Sequence, residues 1–441
     1  MRSTRLAVSG FALLLAVSLL GVPGPAAAQD QSNKGTDYTM PQYNAYQAAH
    51  KEPDPQKRIQ MLDDLVGTLG SSKDLLPYIE QAYLDSYTQL KNYPKLIEYA
   101  DRVIGLGDQL PVQTRLEATV ARCQAFEQSF NPKASDARDQ LSKEVNAAKS
   151  GLVLLDKVPK PANTSDDQFA EGKKPAIGFF NSAAGSAELQ LKDYTAAADS
   201  YKAVLAVNPK DAASYYHMGV ADLGMAPPHT MDGYWAIARA IDLKIPGDAQ
   251  VKDYLRKQML AYEQPGCDSQ IDAQLSELLT VAQGSADRPT TYSIPSADDL
   301  AKLRAQSNIL TVISDLQAGG DKAKNTWLMI CGSEFPVVVG KIIEATPGDG
   351  SVDFKVYEGP TDEDVQAATV PNMDVNVKGQ PDAARLGKDD GIRFSGTLVS
   401  YDPQPFLLHW DEVKVDPTII PEEKVTPGRK PHKVPPKKPS R

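Results

Sequence analysis

Residue types that carry catalysis are scattered along this chain of 441 residues. The sequence has no Gly-x-Ser-x-Gly, Cys-x-x-Cys or His-Glu-x-x-His motif and no glycine-rich phosphate loop. The five histidines are far apart: they are His50, His217, His229, His409 and His432. We therefore predict no catalytic residues, no metal site and no cofactor, and we expect a protein that is not an enzyme.

Two runs of carboxylates lie in predicted loops, at Thr361–Asp364 and at Asp389 and Asp390. A calcium-binding loop needs alternating oxygen ligands and a closing glutamate. Neither run supplies that pattern. We therefore interpret both runs as ordinary solvated charge.

Three cysteines are present. Cys123 lies on an apolar helical stripe and is predicted to fill a core. Cys267 and Cys331 could form a disulfide in an oxidising compartment. Their separation along the chain leaves that pairing open, because it says nothing about their distance in space.

The N-terminal residues indicate export. Arg2 and Arg5 precede an apolar run over 6–22, and Ala26–Ala28 supplies the small residues of a cleavage site. We predict a signal peptide over 1–28, a disordered stretch over 29–40, and a periplasmic or secreted protein. No cysteine near the cut suits a lipid anchor, and no other stretch approaches the roughly 20 apolar residues of a membrane span.

The net charge of −10 is unevenly distributed. Residues 424–441 carry seven basic and no acidic side chains, whereas residues 332–417 carry seven basic against sixteen acidic ones. An acidic domain opposes a polyphosphate, so nucleic acid is not a predicted partner. The basic tail is suited to anions, including an anionic envelope polymer.

The elements that must position any binding surface are clearest at Phe180–Gly224. This stretch predicts a helix, a tight turn at Lys192 and Asp193, and a second helix that closes at Pro209. Apolar residues in the second helix recur at offsets of three and four positions and so form one stripe on one face of the helix. They are Tyr194, Ala197, Ala198, Tyr201, Val204 and Leu205. One helix pair cannot cover both of its faces, so similar neighbours are expected on each side.

Other apolar stripes indicate further helices. Helices are predicted, in chain order, over 55–69, 75–90, 94–104, 111–130, 134–155, 212–223, 233–243, 249–262 and 269–282. We expect the central pair to begin at Pro175, because proline favours a helix start.

The central pair resembles a tetratricopeptide repeat. The residues that carry this resemblance are Gly185, Tyr194, Ala197, Tyr201, Val204 and Pro209. A second copy, which starts at Gln89–Tyr93, repeats Gln190–Tyr194 at an offset of 101 residues, close to three periods of about 34. The resemblance implies a helical solenoid over 41–283 that binds a protein or peptide on the concave face formed by the first helices of the pairs.

Some tetratricopeptide proteins grip a peptide with basic residues on that face. The corresponding positions here are not basic: they are Phe179, Ser182, Ala183 and Ser186. The candidate binding surface is therefore a groove lined by Tyr215, Tyr216 and Tyr234, although tyrosines at repeat positions also serve as packing residues.

A linker over 284–295 and a helical stretch that ends at Gly319 and Gly320 follow. After them, the spacing of apolar residues changes from the helical period of about 3.6 to the strand period of about 2. Five strands are predicted, over 337–343, 352–356, 373–377, 392–399 and 406–415. Their number and spacing resemble those of an OB-type barrel. We therefore predict a small domain over 296–416, with short helices followed by this mainly-β part. Phe354, Phe394, Phe406 and Trp410 are expected in its core, and residues 417–441 are a basic, proline-rich, disordered tail.

The fold class is therefore multidomain, with an all-α solenoid followed by a small mainly-β domain. The predicted function is a non-catalytic protein–protein interaction scaffold of the cell envelope. The alternative is a carbohydrate or cell-wall binding protein that uses the β-domain and the basic tail.

Overall fold

The structure is a computed structural model that describes residues 37–263, 268–285, 287–305 and 308–422. The chain divides into two compact units. The first unit comprises Met1–Leu255 and Glu277–Ser293, and the second comprises Arg256–Ser276 and Ile294–Arg441. The predicted signal peptide and the basic cluster of the tail lie outside the described residues. The predicted domain limits stay a prediction.

Sixteen α-helices lie within the described residues. In chain order they are α1 (Met40–Lys51), α2 (Pro55–Leu69), α3 (Leu76–Gln89), α4 (Tyr93–Gly105), α5 (Val112–Ser129), α6 (Ala137–Asp156), α7 (Asp166–Leu191), α8 (Tyr194–Val207), α9 (Ala212–Gly224), α10 (Thr230–Asp242), α11 (Asp248–Glu263), α12 (Asp268–Val281), α13 (Ala297–Ala305), α14 (Ile309–Ala318), α15 (Gly320–Ile330) and α16 (Asp362–Ala367). In those ranges no helix combines the length and apolar character needed to cross a bilayer. The unit boundary falls inside α11 and α12.

Helices α1 to α10 of the first unit pack each against the next along the chain. They form five pairs joined by short connections, and the first helix of each pair is called here an A helix: α1, α3, α5, α7 and α9. The tetratricopeptide-like helix pairs predicted from the sequence are confirmed. Apolar clusters follow one another along the array, the first built mainly from α1 to α4 and another from α5 to α7. The unit therefore has a row of linked cores in place of one central core.

The central pair shows why its motif residues are needed. Lys192 adopts a left-handed backbone (φ 64°), and Asp193 caps α8 by accepting a hydrogen bond from the Ala196 amide. A Cβ atom on Gly185 would lie 3.1 Å from the Tyr201 ring, so α7 and α8 approach closely there. Tyr201 is buried, as are Ala197 and Val204. Tyr194 is half-buried and Pro209 is exposed.

Three expectations about helix limits are wrong. The central A helix, α7, begins at Asp166, because Ser165 forms a capping box with Gln168, and Pro175 lies inside it. Helix α1 was not predicted, since few of its residues are strongly apolar. Helix α15 begins at Gly320, where a helix end was expected, because Gly319 (φ 69°) turns the chain directly from α14 into α15.

The second unit contains a closed barrel of five strands. The strands are β1 (Ser333–Pro347), β2 (Ser351–Tyr357), β3 (Met373–Lys378), β4 (Gly391–Pro403) and β5 (Phe406–Val415), in the order β1-β2-β3-β5-β4. The long strand β1 closes the ring, since Ser333–Lys341 pairs with β4 and Lys341–Pro347 pairs with β2. Strands β3 and β5 run parallel, and the other pairs are antiparallel. All five predicted strands are confirmed.

The barrel encloses an aromatic and aliphatic core. Phe354, Phe394 and Trp410 are buried as predicted, whereas Phe406 is half-buried. The Phe394 ring meets the Trp410 ring at an interplanar angle of 85°. Helix α14 adds Val312 to the same core.

The cysteines differ in state. Cys123 is a buried free thiol, and its burial raises the pKa of the thiol far above the ordinary value. Its predicted core position is confirmed. Cys331 is disulfide-bonded, and Cys267, with which the sequence left a pairing open, lies outside the described residues.

Candidate functional site

A cavity of about 380 Å³ opens at the A helices α1 and α3. Its lining combines charged, amide and apolar surface, and the lining residues are His50, Arg58, Ala82, Asp85, Thr88 and Gln89. We call this cavity and its lining the A-helix groove. Its volume falls within the range of about 300–1,000 Å³ that is typical of ligand sites.

The connection between α1 and α2 sets two of the lining residues. His50 lies in the last turn of α1, and Arg58 lies in the first turns of α2. Asp54 caps α2 by accepting hydrogen bonds from the Gln56 and Lys57 amides, at 2.8 and 3.2 Å. The two side chains therefore enter the groove from either side of a short, capped turn.

Arg58 makes three hydrogen bonds within the protein itself, out of the five N–H groups of its guanidinium. Its Nε and Nη2 atoms donate to the Glu52 carbonyl oxygen at 3.0 and 2.8 Å, and Nη1 donates to Ser86 Oγ at 3.4 Å. Glu52 is the residue that ends α1, so Arg58 satisfies a helix-terminal carbonyl and ties α2 to α3. The guanidinium acts as a structural clamp with few donors left for a ligand.

Asp85 is the charged side chain of the groove that has no bonding partner among the described residues. Within the described residues, no hydrogen bond or ion pair reaches its carboxylate. Asp85 is exposed, but desolvation by the walls of the groove raises the pKa of its carboxyl, whereas the charges of Arg58 and His50 lower it and the charge of Glu117 on α5 raises it. The carboxylate therefore has acceptor capacity and no local donor to use it.

The remaining lining groups differ in availability. Thr88 donates its hydroxyl to the Leu84 carbonyl of its own helix at 2.8 Å. His50 lies with its ring stacked on Tyr46, at 5.8 Å between ring centroids, and both His50 and Gln89 are exposed. The A-helix groove thus presents Asp85, an imidazole edge and an amide to solvent.

A second cavity, of about 480 Å³, involves α4, α5 and α6. It is lined by Ile104, Arg115, Asn146, Lys149, Ser150, Val153 and Leu154. Both of its cations are already paired, because Arg115 Nη2 lies 2.9 Å from Asp108 and Lys149 Nζ lies 2.8 Å from Glu188. It offers less unpaired charge than the A-helix groove.

The three predicted surface tyrosines are not equivalent. Tyr215 is 4% exposed and Tyr234 is 2% exposed, so the prediction that they line a binding surface is wrong. Both pack where α9 and α10 meet at close range, since a Cβ atom on Gly219 would lie only 2.7 Å from the Gly233 carbonyl oxygen. Tyr216 is half-buried against Tyr254 and His217, and its role in binding stays a prediction.

The groove residues were missed from the sequence, although a signal for them exists. The A-face positions Ala183 and Ser186 of the central pair shift by the offset of 101 residues to Ala82 and Asp85. Both of these residues line the groove. The same repeat register that excluded a basic clamp in α7 therefore pointed to an acidic group in α3.

Across the described ranges, no group of three or more histidine, cysteine, aspartate or glutamate side chains is arranged to hold a metal ion. No protein-family model matches the chain, and no curated protein matches it. Five chains among solved structures match. One is the TPR2AB domain of yeast Sti1 in a complex with pHSP90, which is 12% identical, with 55% of this chain and 95% of that chain covered and a TM-score of 0.17. A likeness this weak carries no argument, so the helix pairs rest on the contacts described above.

Proposed function

We propose that this protein is a non-catalytic interaction scaffold that binds an extended segment of another protein in the A-helix groove. The observation that carries the proposal is the Asp85 carboxylate, which faces a cavity of about 380 Å³ without a bonding partner among the described residues. Asp85 is exposed, so both of its carboxylate oxygens can accept hydrogen bonds from a ligand that enters the cavity.

The setting of the groove supports a peptide as the ligand. Helix pairs that stack in a row leave the A helices with a long shared face, and such faces suit extended chains or helices. Gln89 and His50 offer hydrogen-bonding groups to a peptide backbone beside the open carboxylate.

Peptides selected by display on the purified mature chain, residues 29–441, test this function. Gln89 is exposed at the groove, so Gln89→Trp should fill the cavity without disturbing the core. We expect the affinity of the selected peptides, measured by fluorescence polarisation, to fall at least about tenfold in this variant, the loss of roughly one well-made contact.

Ser142→Trp is the matched control, because Ser142 is exposed on α6 and lies outside both cavities. It should bind the peptides as the wild type does. Selected peptides that bind Gln89→Trp as tightly as the wild type would remove the groove from the function.

We further propose that the protein acts outside the cytoplasm, in the periplasm or after secretion. The charged, apolar and small-residue segments of residues 1–28 support this location. The disulfide at Cys331 is also typical of an oxidising compartment. Signal-peptide cleavage near Gln29, read by N-terminal sequencing of the exported protein, tests it.

The alternative, carbohydrate or cell-wall binding by an OB-like β-domain and the basic tail, has less support. Two outward polar contacts on the barrel are already made within the protein: Lys355 Nζ lies 2.8 Å from Asp374, and His409 Nε2 lies 2.9 Å from Asp402. Retention of the full chain on peptidoglycan, lost when residues 424–441 are removed, would favour this alternative over the peptide scaffold.

A further inference from the structure

The outer face of strand β1 carries apolar side chains that the described residues leave uncovered. Val337 is 61% exposed and Val339 is 40% exposed, whereas Val338 between them is buried in the barrel core. Exposed Glu334 lies on one side of the two valines along the strand, and exposed Glu344 lies on the other. We call the four exposed residues the β1 face.

The charges on and around the β1 face leave it with a negative balance. Neither glutamate makes a hydrogen bond or an ion pair among the described residues. Three basic side chains lie on β1 or opposite it, and each has an aspartate partner: Lys341 Nζ lies 3.2 Å from Asp389, Lys355 Nζ lies 2.8 Å from Asp374, and Arg393 Nη1 lies 3.5 Å from Asp416. Since each such pair carries no net charge, the two glutamates decide the sign. The barrel segment as a whole, 332–417, has sixteen acidic against seven basic side chains.

The end of the described chain is held on the barrel beside this face. The Asp416 amide donates to the Arg393 carbonyl oxygen at 2.8 Å, and Arg393 is the cross-strand partner of Val339. Ile419 and Ile420 then pack against the barrel core. The chain that follows β5 therefore stays on the surface of the barrel, one strand away from the exposed valines.

The C-terminal tail, residues 424–441, begins where this contact ends. Arg385 Nη1 donates to the Pro421 carbonyl oxygen at 3.2 Å, only a few residues before the tail. The tail has seven basic and no acidic side chains, together with two valines and five prolines. Its eighteen residues reach at most about 60 Å when fully extended, whereas a strand of fifteen residues such as β1 is about 50 Å long. The tail is therefore long enough to return over the whole β1 face.

We propose that the C-terminal tail docks on the β1 face of its own chain. Its basic side chains pair with Glu334 and Glu344, and its valines and prolines cover Val337 and Val339. Charge complementarity selects this occupant, because the tail brings positive charges without negative ones to a face and a barrel that are both net negative. Tethering favours it further, since a segment joined to its site by a short linker competes at an effective concentration on the order of millimolar. An anionic partner that captures the tail would uncover the face.

A synthetic peptide with the sequence of residues 424–441 tests this contact by competition. The purified mature chain, residues 29–441, is compared with a chain truncated after Glu422, and fluorescence polarisation measures binding of the labelled peptide at low salt. We expect the peptide to bind the truncated chain at least about tenfold more tightly, because the tethered tail occupies the face of the full chain. Added salt should weaken this binding.

Two double variants of the truncated chain locate the site. Glu334→Gln with Glu344→Gln should reduce the affinity for the peptide at least about threefold. Glu363→Gln with Glu412→Gln is the matched control, because it removes the same charge from two exposed glutamates outside β1. The control should bind the peptide almost as its parent does. Circular dichroism and thermal unfolding of each protein establish that the fold is intact.

Carbodiimide cross-linking of the full mature chain adds a direct readout, because it joins a lysine to a carboxylate in contact with it. We expect links from tail lysines to Glu334 or Glu344 within monomers. Equal affinity of the peptide for the full and truncated chains, or no binding to either, overturns the proposal. An equal loss of affinity in both double variants would show general attraction to an acidic barrel and overturns the assigned face. Links confined to dimers would place the tail on a second copy and overturn docking within one chain.

Discussion

Two carboxylates of the first unit show how the same chemical group can stabilise a fold or stay available. Glu144 on α6 is 2% exposed, and its carboxylate lies 2.5 Å from Arg122 Nη1. Asp85 on α3 faces the A-helix groove and has no such partner among the described residues. Arg122 also bonds Asp101 on α4, so one guanidinium joins three successive helices.

The difference lies in where each nearby arginine directs its donors. Arg122 directs its nitrogen atoms to carboxylates, and the buried charges compensate one another. Arg58 directs its nitrogen atoms mainly to the Glu52 carbonyl, so its charge acts on Asp85 without a hydrogen bond between the two side chains. An arginine beside a carboxylate is therefore insufficient evidence of a closed ion pair, because the backbone can take its donors.

The largest expected effect comes from breaking the closed pair. Arg122→Met should destabilise the protein by about 3–5 kcal/mol, because it leaves the buried Glu144 without a counter-charge. Chemical denaturation followed by circular dichroism measures this change. Lys143→Met, which breaks the exposed pair with Asp139, is the control and should leave the free energy of unfolding close to that of the wild type. A similar small loss in both variants would contradict the role assigned to Arg122.

Asp222 on α9 provides an intermediate case. It is buried, with His229 Nδ1 3.9 Å away, and burial raises the pKa of Asp222 to about 6. The folded state thus favours the protonated acid. The stabilisation is complete below pH 3.8, the ordinary value, and is lost as pH rises through about 6.

Asp222→Asn should therefore be more stable than the wild type at pH 7, by about 1–3 kcal/mol, and lose this advantage toward pH 4. Thermal unfolding of both proteins across this pH range measures the difference. A constant difference in stability between pH 4 and 7 would show that Asp222 does not titrate as described.

The smallest expected effect on stability belongs to Asp85. Desolvation by the groove walls raises the pKa of Asp85, so its ionised form at neutral pH disfavours the folded state, and only slightly because the side chain is exposed. Asp85→Asn should unfold within about 0.5 kcal/mol of the wild type, on the stabilising side, while peptide binding falls. A clear loss of thermal stability would mean that Asp85 supports the fold, and the comparison with Glu144 would then fail.

Periodic apolar residues made most of the fold predictable. The helix predicted over 55–69 coincides with α2, and strand β5 has its predicted limits, because each shows one period throughout. The start of α7 was missed because a capping box outweighed Pro175. Tyr215 was misassigned because burial depends on how closely α9 approaches α10, which two glycines determine.

The candidate site was only partly accessible from sequence. The repeat offset identifies Asp85 as an A-face residue, but it does not show where Arg58 directs its donors. That direction depends on the turn after α1, where the Glu52 carbonyl is left for a donor outside the helix. Whether a charged side chain is free to meet a ligand thus depends on the hydrogen bonds that its neighbours make in the folded protein.

The closed barrel limits how the second unit can associate with other chains. Every strand has a hydrogen-bonded neighbour on both sides, since β4 returns to pair with β1. Among the described strands none has an edge left open along its whole length, so the barrel offers no complete edge to which a partner's extended chain or a second copy could add a sixth strand. Recognition by this barrel must use side chains and loops, and the unit is protected against sheet-to-sheet polymerisation.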